Sequence, residues 1–201
     1  AQAGTPVVIY TLEMKATELG ERIALAQTDI DPARLRQGRL LPQEMETLTR
    51  CREKAAQMPL CIDDTPYLSI DHLCTLVKAQ HAKGKCRMVI VDYLQLLATL
   101  APGRTREQEV AECSRKLKAL ARSIDSPVIV ASQLNRQAEE QNTVPDLRHL
   151  RESGAIEQDA DLVMLIHRPE RHHISVDPHT GCSTRNMGIL SVAKHRNGAT
   201  G

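Results

Sequence analysis

The chain has 201 residues, 41% of them hydrophobic, which is enough for one well-buried domain. Its formal net charge of +1, from 26 basic and 25 acidic residues, excludes nucleic-acid binding through a global basic field, so any DNA contact must be local or repeated across several subunits. With no Phe, no Trp and 3 Tyr, the chain lacks the aromatic platforms on which single-strand binders stack bases, so it would hold a strand by its phosphates.

The first half of the chain alternates short apolar runs with amphipathic segments. Apolar residues at helical spacing predict a helix near 15–28. Residues 30–58 predict two short helices separated by a break at Gly38. Ser69 can cap a further helix that ends at Gly84. The predicted strands of this half are 6–10, 60–63 and 88–92.

The second half continues the same alternation. Thr105-Arg-Glu-Gln108 has the form of a capping box, and the apolar face of the helix behind it continues to Ile124. Segment 167–187 is rich in His, Arg and Pro and is predicted to be a surface excursion. The predicted strands of this half are 128–131, 162–166 and 189–193.

Alternating strands and helices predict βαβ units, and therefore an α/β fold with a mainly parallel sheet flanked by helices. Strand 88–92 is apolar on both faces, as a central parallel strand is. In such sheets, ligands bind beyond the carboxyl ends of the strands. Glu13, Asp92 and Gln133 each lie at or just after such an end, so we expect them to share one site.

Five strings occur in order along this pattern: Thr11-Leu-Glu-Met14, 88–97, Ala131-Ser-Gln-Leu-Asn-Arg136, 150–161 and Lys194-His-Arg-Asn-Gly198. Together they resemble the motor domain of the bacterial replicative DNA helicases of the DnaB type. The resemblance implies a RecA-like P-loop ATPase core, with 1–201 as a single motor domain. It also implies a homo-hexameric ring that hydrolyses ATP at subunit interfaces, translocates on single-stranded DNA and unwinds duplex.

One part of such a motor is missing from the sequence. A phosphate-binding loop requires Gly-x-x-x-x-Gly-Lys-Ser/Thr. Here the Gly84-Lys85 pair is followed by Cys86, and Ala79 occupies the position of the first glycine. We therefore expect a partial domain that begins after the phosphate loop and lacks the final strands. This chain alone is expected to be inactive as an ATPase.

The residues at the strand ends have plain alternatives. By pattern alone, Asp92 could hold a magnesium ion or cap the next helix, Glu13 could stand at a helix end, and Gln133 could be an ordinary loop glutamine. The resemblance implies that Asp92 is the Walker B carboxylate, which binds Mg²⁺ with ATP. It implies that Glu13 polarises the attacking water and that Gln133 senses the γ-phosphate.

Lys194 and Arg196 are two residues apart, so on a strand they point the same way. Two adjacent cations repel each other unless an anion joins them, and a triphosphate would suit the arginine fork. The alternative is a solvated hairpin rim. The resemblance implies that both residues reach the site of the neighbouring subunit, with Arg196 as the arginine finger. Asn197-Gly198 predicts a tight turn, and the chain is expected to end at Gly201 within that turn.

The run 150–161 is the string most specific to the family. The resemblance implies that loops here line the central channel and contact the DNA backbone, and His149 could add a phosphate contact. The alternative is an acidic helix N-terminus capped by Asp159 and Asp161. The candidate DNA-binding residues are Arg148, Arg151, Glu152 and Gly154.

Two other functions within reach of this fold remain open. One is a recombinase-type filament ATPase, and the other is a non-enzymatic ring-binding scaffold that has lost the phosphate loop. A dinucleotide oxidoreductase is set aside because the chain has no Gly-x-Gly-x-x-Gly. The resemblance further suggests a primase and a helicase loader as partners.

The six cysteines form no Cys-x-x-Cys pair and show no zinc spacing, so neither a disulfide framework nor a zinc site is expected. No apolar stretch approaches the roughly 20 residues that a membrane span requires, and the N-terminus has no signal-peptide pattern. These features predict a reduced, soluble, cytoplasmic protein without a membrane partner.

Overall fold

The computed structural model describes residues 1–97, 103–135, 145–177 and 180–201, and it describes only the backbone of 151–153. The chain divides into two units. The first comprises Ala1–Ala98 with Leu120–Ala131, and the second comprises Thr99–Ala119 with Ser132–Gly201.

The first unit is built on a four-stranded parallel sheet with the order β2-β1-β3-β4. The predicted strands are confirmed, and those at 60–63 and 88–92 match at both ends. The central strands β1 and β3 fill the core with buried Val8, Tyr10, Val89 and Val91. The strands are β1 (Val7–Thr11), β2 (Leu60–Asp63), β3 (Met88–Asp92) and β4 (Val128–Val130).

Four helices accompany this sheet, and each was predicted. Gly38, with φ +66°, separates the second helix from the third, which at 15 residues is longer than expected. The fourth begins after Ser69, whose side chain accepts a hydrogen bond from the His72 N–H at 3.2 Å. The helices are α1 (Ala16–Leu25), α2 (Pro32–Arg36), α3 (Pro42–Ala56) and α4 (Ile70–Ala82).

Gly84 terminates α4 in the left-handed conformation, with φ +71°. The N–H groups of Gly84 and Lys85 donate to the carbonyls of His81 and Gln80, at 2.9 and 3.0 Å. This is the arrangement of a helix C-terminus. The Gly84-Lys85 pair is therefore a helix end and not a phosphate-binding loop.

The longest described helix, α5 (Arg106–Ser123), begins in the second unit. Its predicted capping box is confirmed: the Thr105 N–H donates to Gln108 Oε1 at 3.1 Å, and the Gln108 N–H donates to Thr105 Oγ1 at 3.4 Å. Charged residues cover the outer face of α5.

None of the described helices combines the length and apolar character needed to cross a membrane.

The last two strands, β5 (Leu162–His167) and β6 (Ile189–His195), form a separate antiparallel pair. Parallel neighbours need a crossover connection, usually a helix. In the described part of the connection, the chain makes only a 3₁₀ turn (Pro169–His172) and a bridge between Val176 and Ser183, so it doubles back. The predicted α/β class with a mainly parallel sheet is confirmed. Strands β5 and β6 are the exception, because they form a separate antiparallel pair.

Segment 167–187 is only partly the surface excursion that its composition predicted. The side chains of His167, Asp177 and Thr184 are buried, and the rings of His167 and His172 stack with centroids 4.9 Å apart. Burial lowers the pKa of His167, and the charge of His172 lowers it further. His167 is therefore held in its neutral form. The excursion therefore packs partly onto its own unit.

Candidate functional site

Glu13 lies two residues past the end of β1, and Asp92 is the last residue of the adjacent strand β3. Thr11, the last residue of β1, lies opposite Asp92, the last residue of β3. The Leu12 N–H donates to the Asp92 carbonyl at 2.8 Å, which fixes the two strand ends together. The sheet thus brings Glu13 and Asp92 to one edge, as expected for parallel strands.

Asp92 does not cap the next helix, and Glu13 accepts no N–H at the start of α1. The first N–H of α1, from Ala16, donates to Asp64 Oδ2 at 2.8 Å, so Asp64 rather than Glu13 serves that helix end. The 3₁₀ helix Leu94–Leu96 has Tyr93 as its N-cap residue, without a side-chain cap. Within the described ranges, no hydrogen bond or ion pair engages the side chain of Glu13 or Asp92.

Asp92 is half-buried at the end of β3, which pairs with β1 and β4, and its peptide bond to Tyr93 is cis. A half-buried carboxylate without a protein partner is costly to desolvate, and a cation would compensate for that cost. Glu13 is exposed and lies two residues past Thr11, the residue that is paired with Asp92. The edge therefore offers one carboxylate suited to a cation and one open to water.

Gln133 lies three residues past the end of β4, the strand next to β3. The Ala131 N–H donates to the Val91 carbonyl at 2.9 Å, and the Leu94 N–H donates to the Ala131 carbonyl at 2.9 Å. Gln133 itself is exposed and belongs to the second unit. Its grouping with Glu13 and Asp92 in one site stays a prediction.

In the second unit, Lys194 lies on β6 and Arg196 lies in the turn after it, and both side chains reach the same short helix. Lys194 Nζ donates to the Glu157 carbonyl, and Arg196 Nη2 donates to the Gln158 carbonyl at 3.2 Å. Both carbonyls belong to the last turn of the short helix α6 (Gly154–Asp159), where carbonyls have no intrahelical partner. The two cations therefore meet at one helix end.

Asp161 completes this cluster, which was not foreseen from the sequence. Its Oδ1 lies 3.0 Å from Arg196 Nη1, and its Oδ2 pairs with Lys118 Nζ. The Lys118 hydrogen bond, and then the charges of Lys118, Arg196 and Lys194, hold the pKa of Asp161 below its usual range. Asp161 thus stays ionised among three cations.

The predicted turn after Arg196 is present, but Gly201 does not end within it. Gly201 lies back beside β6, where its N–H and carbonyl pair with Val192 at 3.1 and 2.7 Å. Asn197 and Gly198 follow Arg196 in the turn. A Cβ added to Gly198 would lie 2.1 Å from His195 Nδ1, so a larger residue here would displace the exposed His195 ring.

The segment before α6 is a 3₁₀ helix (Leu147–Ser153) capped by Asp146. Arg148 is exposed, with its Nε 2.6 Å from Asp146 Oδ2. The expectation that His149 contacts phosphate is wrong, because His149 is 2% exposed. Its Nδ1 accepts the Asp146 N–H at 2.9 Å, so the ring closes a capping box instead of facing solvent.

The backbone of Arg151 and Glu152 belongs to this 3₁₀ helix, and their side chains lie outside the described residues. Gly154 opens α6 with ordinary helical angles, φ −50° and ψ −24°. The alternative in which Asp159 and Asp161 cap a helix N-terminus is wrong. Asp159 is the last residue of α6, where it accepts the Ser114 hydroxyl at 2.7 Å, and Asp161 follows it.

The parallel sheet, with Glu13 just past β1 and Asp92 at the end of β3, belongs to a RecA-like ATPase core, the fold shared by two similar solved structures. The profile of the DnaB-like helicase C-terminal domain matches residues 1–201, and the chain belongs to that family.

Similar proteins agree with this assignment. The replicative DNA helicase DnaB of Mycobacterium leprae is 39% identical over 194 residues, which cover 96% of this chain and 31% of the relative. That of Geobacillus stearothermophilus is 37% identical over 202 residues, covering 97% and 42%. This chain therefore spans less than half the length of either relative.

Two solved structures share the fold over 97% of this chain. One is described as an ATPase domain; it superposes with a TM-score of 0.85 at 30% identity, and 68% of that chain is covered. The other is a DnaB-like replicative helicase, described with its interactions with primase; it superposes with a TM-score of 0.87 at 28% identity, and 46% of that chain is covered.

Proposed function

We propose that this chain is part of the motor domain of an ATP-dependent replicative DNA helicase. In the complete protein, it would hydrolyse ATP at the subunit interfaces of a homo-hexameric ring that translocates on single-stranded DNA. One observation carries the proposal: Glu13, just past β1, and Asp92, at the end of the adjacent strand β3, lie at one sheet edge, and no described residue engages either carboxylate.

Each carboxylate fits a separate task. Bound ATP with Mg²⁺ would supply the phosphoryl group and its counter-charge. Asp92 would hold the Mg²⁺ through one carboxylate, with phosphate and water as the remaining ligands, which is common for this ion. Glu13 would orient the attacking water and accept its proton.

Three more residues would act on the triphosphate. Gln133 can donate to a γ-phosphate oxygen and accept from water, so it would sense whether ATP is intact. Lys194 and Arg196 would serve the site of the adjacent subunit. The Arg196 side chain is 49% exposed and has more N–H donors than its contacts with Asp161 and Gln158 use, so its guanidinium can still bind phosphate.

DNA would be held through its phosphates by the segment around α6. Arg148 is exposed at this segment, and Arg151, Glu152 and Gly154 follow it. The similar protein described with primase suggests primase as a partner, and a loader would be needed to place a closed ring on DNA. Such a protein would work in the cytoplasm, where bacterial DNA replicates.

The decisive experiment uses the complete protein that contains this chain. We expect ATP hydrolysis stimulated by single-stranded DNA and ATP-dependent displacement of a strand from a forked duplex. Strand exchange without unwinding would favour the filament ATPase instead. Binding to a helicase ring without any hydrolysis would favour the scaffold.

Gly154 offers a test of the DNA contact that leaves the fold intact. A helical glycine costs about 0.5–1 kcal/mol relative to alanine. Yet here no atom lies within 4 Å of the place that a Cβ would occupy, and φ is ordinary, so nothing within the described chain explains the glycine. We expect Gly154→Ala to keep or slightly raise the melting temperature while weakening single-strand binding, because the methyl group blocks the approach of the DNA backbone.

Arg151→Ala provides the contrast for this prediction. It should weaken binding equally for all sequences and lower the salt dependence by about one counterion, since it removes a phosphate contact. Gly154→Ala removes no charge, so its salt slope should equal that of the wild type. Unchanged affinity in fluorescence-anisotropy titrations of Gly154→Ala would place the DNA elsewhere.

A further inference from the structure

Arg196 is anchored at three points although it lies in a turn. Its backbone N–H donates to the Asp161 carbonyl at 2.8 Å. Its Nη1 lies 3.0 Å from Asp161 Oδ1, and its Nη2 lies 3.2 Å from the Gln158 carbonyl. Asp161 thus fixes both the backbone and the side chain of Arg196.

Asp161 is in turn braced from α5. Its second carboxylate oxygen, Oδ2, pairs with Lys118 Nζ, so the two oxygens are divided between two cations. The Lys118 side chain is 25% exposed and is more confined than Asp161, at 58%. Ser114, one turn earlier on α5, binds Asp159 at 2.7 Å, so the same helix face holds both ends of this connection. The position of the Arg196 guanidinium is therefore fixed relative to the long helix α5.

This network contributes little to stability, because exposed ion pairs are typically worth about 0–1 kcal/mol. Its effect is geometric. A guanidinium that is already oriented needs no reorganisation when charge develops on a phosphate. Asp161 and Gln158 engage one N–H on each terminal nitrogen, which leaves further donors for phosphate oxygens.

We propose that Asp161, braced by Lys118, is a positioning residue that orients Arg196 for the triphosphate of the neighbouring subunit. The inference rests on the proposed role of Arg196 in trans. It adds a residue that touches neither nucleotide nor DNA and acts through Arg196 alone.

The test is Asp161→Asn in the complete, assembled protein. Asparagine keeps the size of the side chain and one accepting oxygen, but loses the charge that joins Lys118 to Arg196. Because a misplacement of about 1 Å can cost on the order of 100-fold in rate, we expect kcat for DNA-stimulated hydrolysis to fall roughly 10- to 100-fold. KM for ATP should stay near the wild-type value, since Arg196 acts on the transition state. Asp161→Glu should restore part of the rate.

Glu21→Gln is the matched control. Glu21 pairs with Arg52 at 2.9 Å, and their side chains are 51% and 47% exposed, close to the 58% and 49% of Asp161 and Arg196. Glu21→Gln removes a comparable carboxylate–arginine pair in the other unit, so we expect kcat to be unchanged. Lys118→Met provides a second variant that keeps the Asp161–Arg196 contact, and we expect an intermediate loss of kcat.

A double-mutant cycle separates positioning from a structural role. In the Arg196→Ala background, Asp161→Asn should cause no further loss, because the residue acts through Arg196. An additional loss there, or a wild-type or faster rate in the Asp161→Asn single variant, would overturn the inference alone. A wild-type rate in Arg196→Ala would overturn both this inference and the proposed finger.

Discussion

Arg196→Ala is expected to reduce ATP hydrolysis by about a thousandfold or more in the complete protein, the loss typical of a missing arginine finger. The domain should stay folded. Arg196 is half-exposed, and Lys194 still binds the Glu157 carbonyl at the end of α6. Steady-state hydrolysis with saturating single-stranded DNA measures the effect. Arg185→Ala, which removes the same charge from an exposed position in the same unit, should keep the wild-type rate.

Mixed rings test whether the finger acts in trans. A subunit with Arg196→Ala keeps Glu13, and a subunit with Glu13→Gln keeps Arg196, so half of the mixed boundaries combine two intact residues. For random mixing of equal amounts and independent sites in a ring of head-to-tail interfaces, roughly a quarter of the wild-type activity should return. Confirmed mixed rings that are no more active than either parent would show that Arg196 serves its own subunit or no site at all.

The parallel core could be predicted because its signals are local. The strand at 88–92 is apolar on both faces and lies at the centre of the sheet, and Ser69 and Thr105 cap their helices as their side chains favour. The placement of Glu13 and Asp92 at one edge followed from the parallel order. Their catalytic roles remain predictions.

The last hairpin shows where periodicity is ambiguous. Leu162-Val-Met-Leu-Ile166 is a continuous apolar run, which is equally typical of a buried parallel strand. In the structure, β5 buries Val163 and Leu165 and exposes Leu162, Met164 and Ile166, and it pairs antiparallel with β6. An all-apolar run cannot indicate which of its faces is covered.

His149 and Asp161 were missed for different reasons. A capping box normally has Glu or Gln at its third position, so Asp146 followed by His149 resembled a basic surface pair instead. Asp161 meets Lys118 across 43 positions of sequence, and no local pattern reports such a contact. Side chains whose partners are distant in sequence are found only when the fold is known.

Glu13→Gln should abolish hydrolysis in the complete protein while keeping ATP binding. The amide has the same shape as the carboxylate but cannot accept the proton of the attacking water, and such a loss typically costs about 10²–10⁴-fold. Folding should be unaffected to within about 0.5 kcal/mol, because Glu13 is exposed and Asp64 accepts the Ala16 N–H at the start of α1. Nucleotide-binding titrations and single-turnover hydrolysis measure the two effects separately.

Glu18→Gln is the matched control for this prediction. Glu18 lies in the first turn of α1 and pairs with Arg22, one turn later, at 3.1 Å. Losing that exposed pair costs at most about 1 kcal/mol, so hydrolysis should be unchanged. Wild-type unwinding by Glu13→Gln, with the control equally active, would make Glu13 an ordinary residue before a helix. The proton would then have to pass to another group, and the two carboxylates at this sheet edge would no longer explain the chemistry.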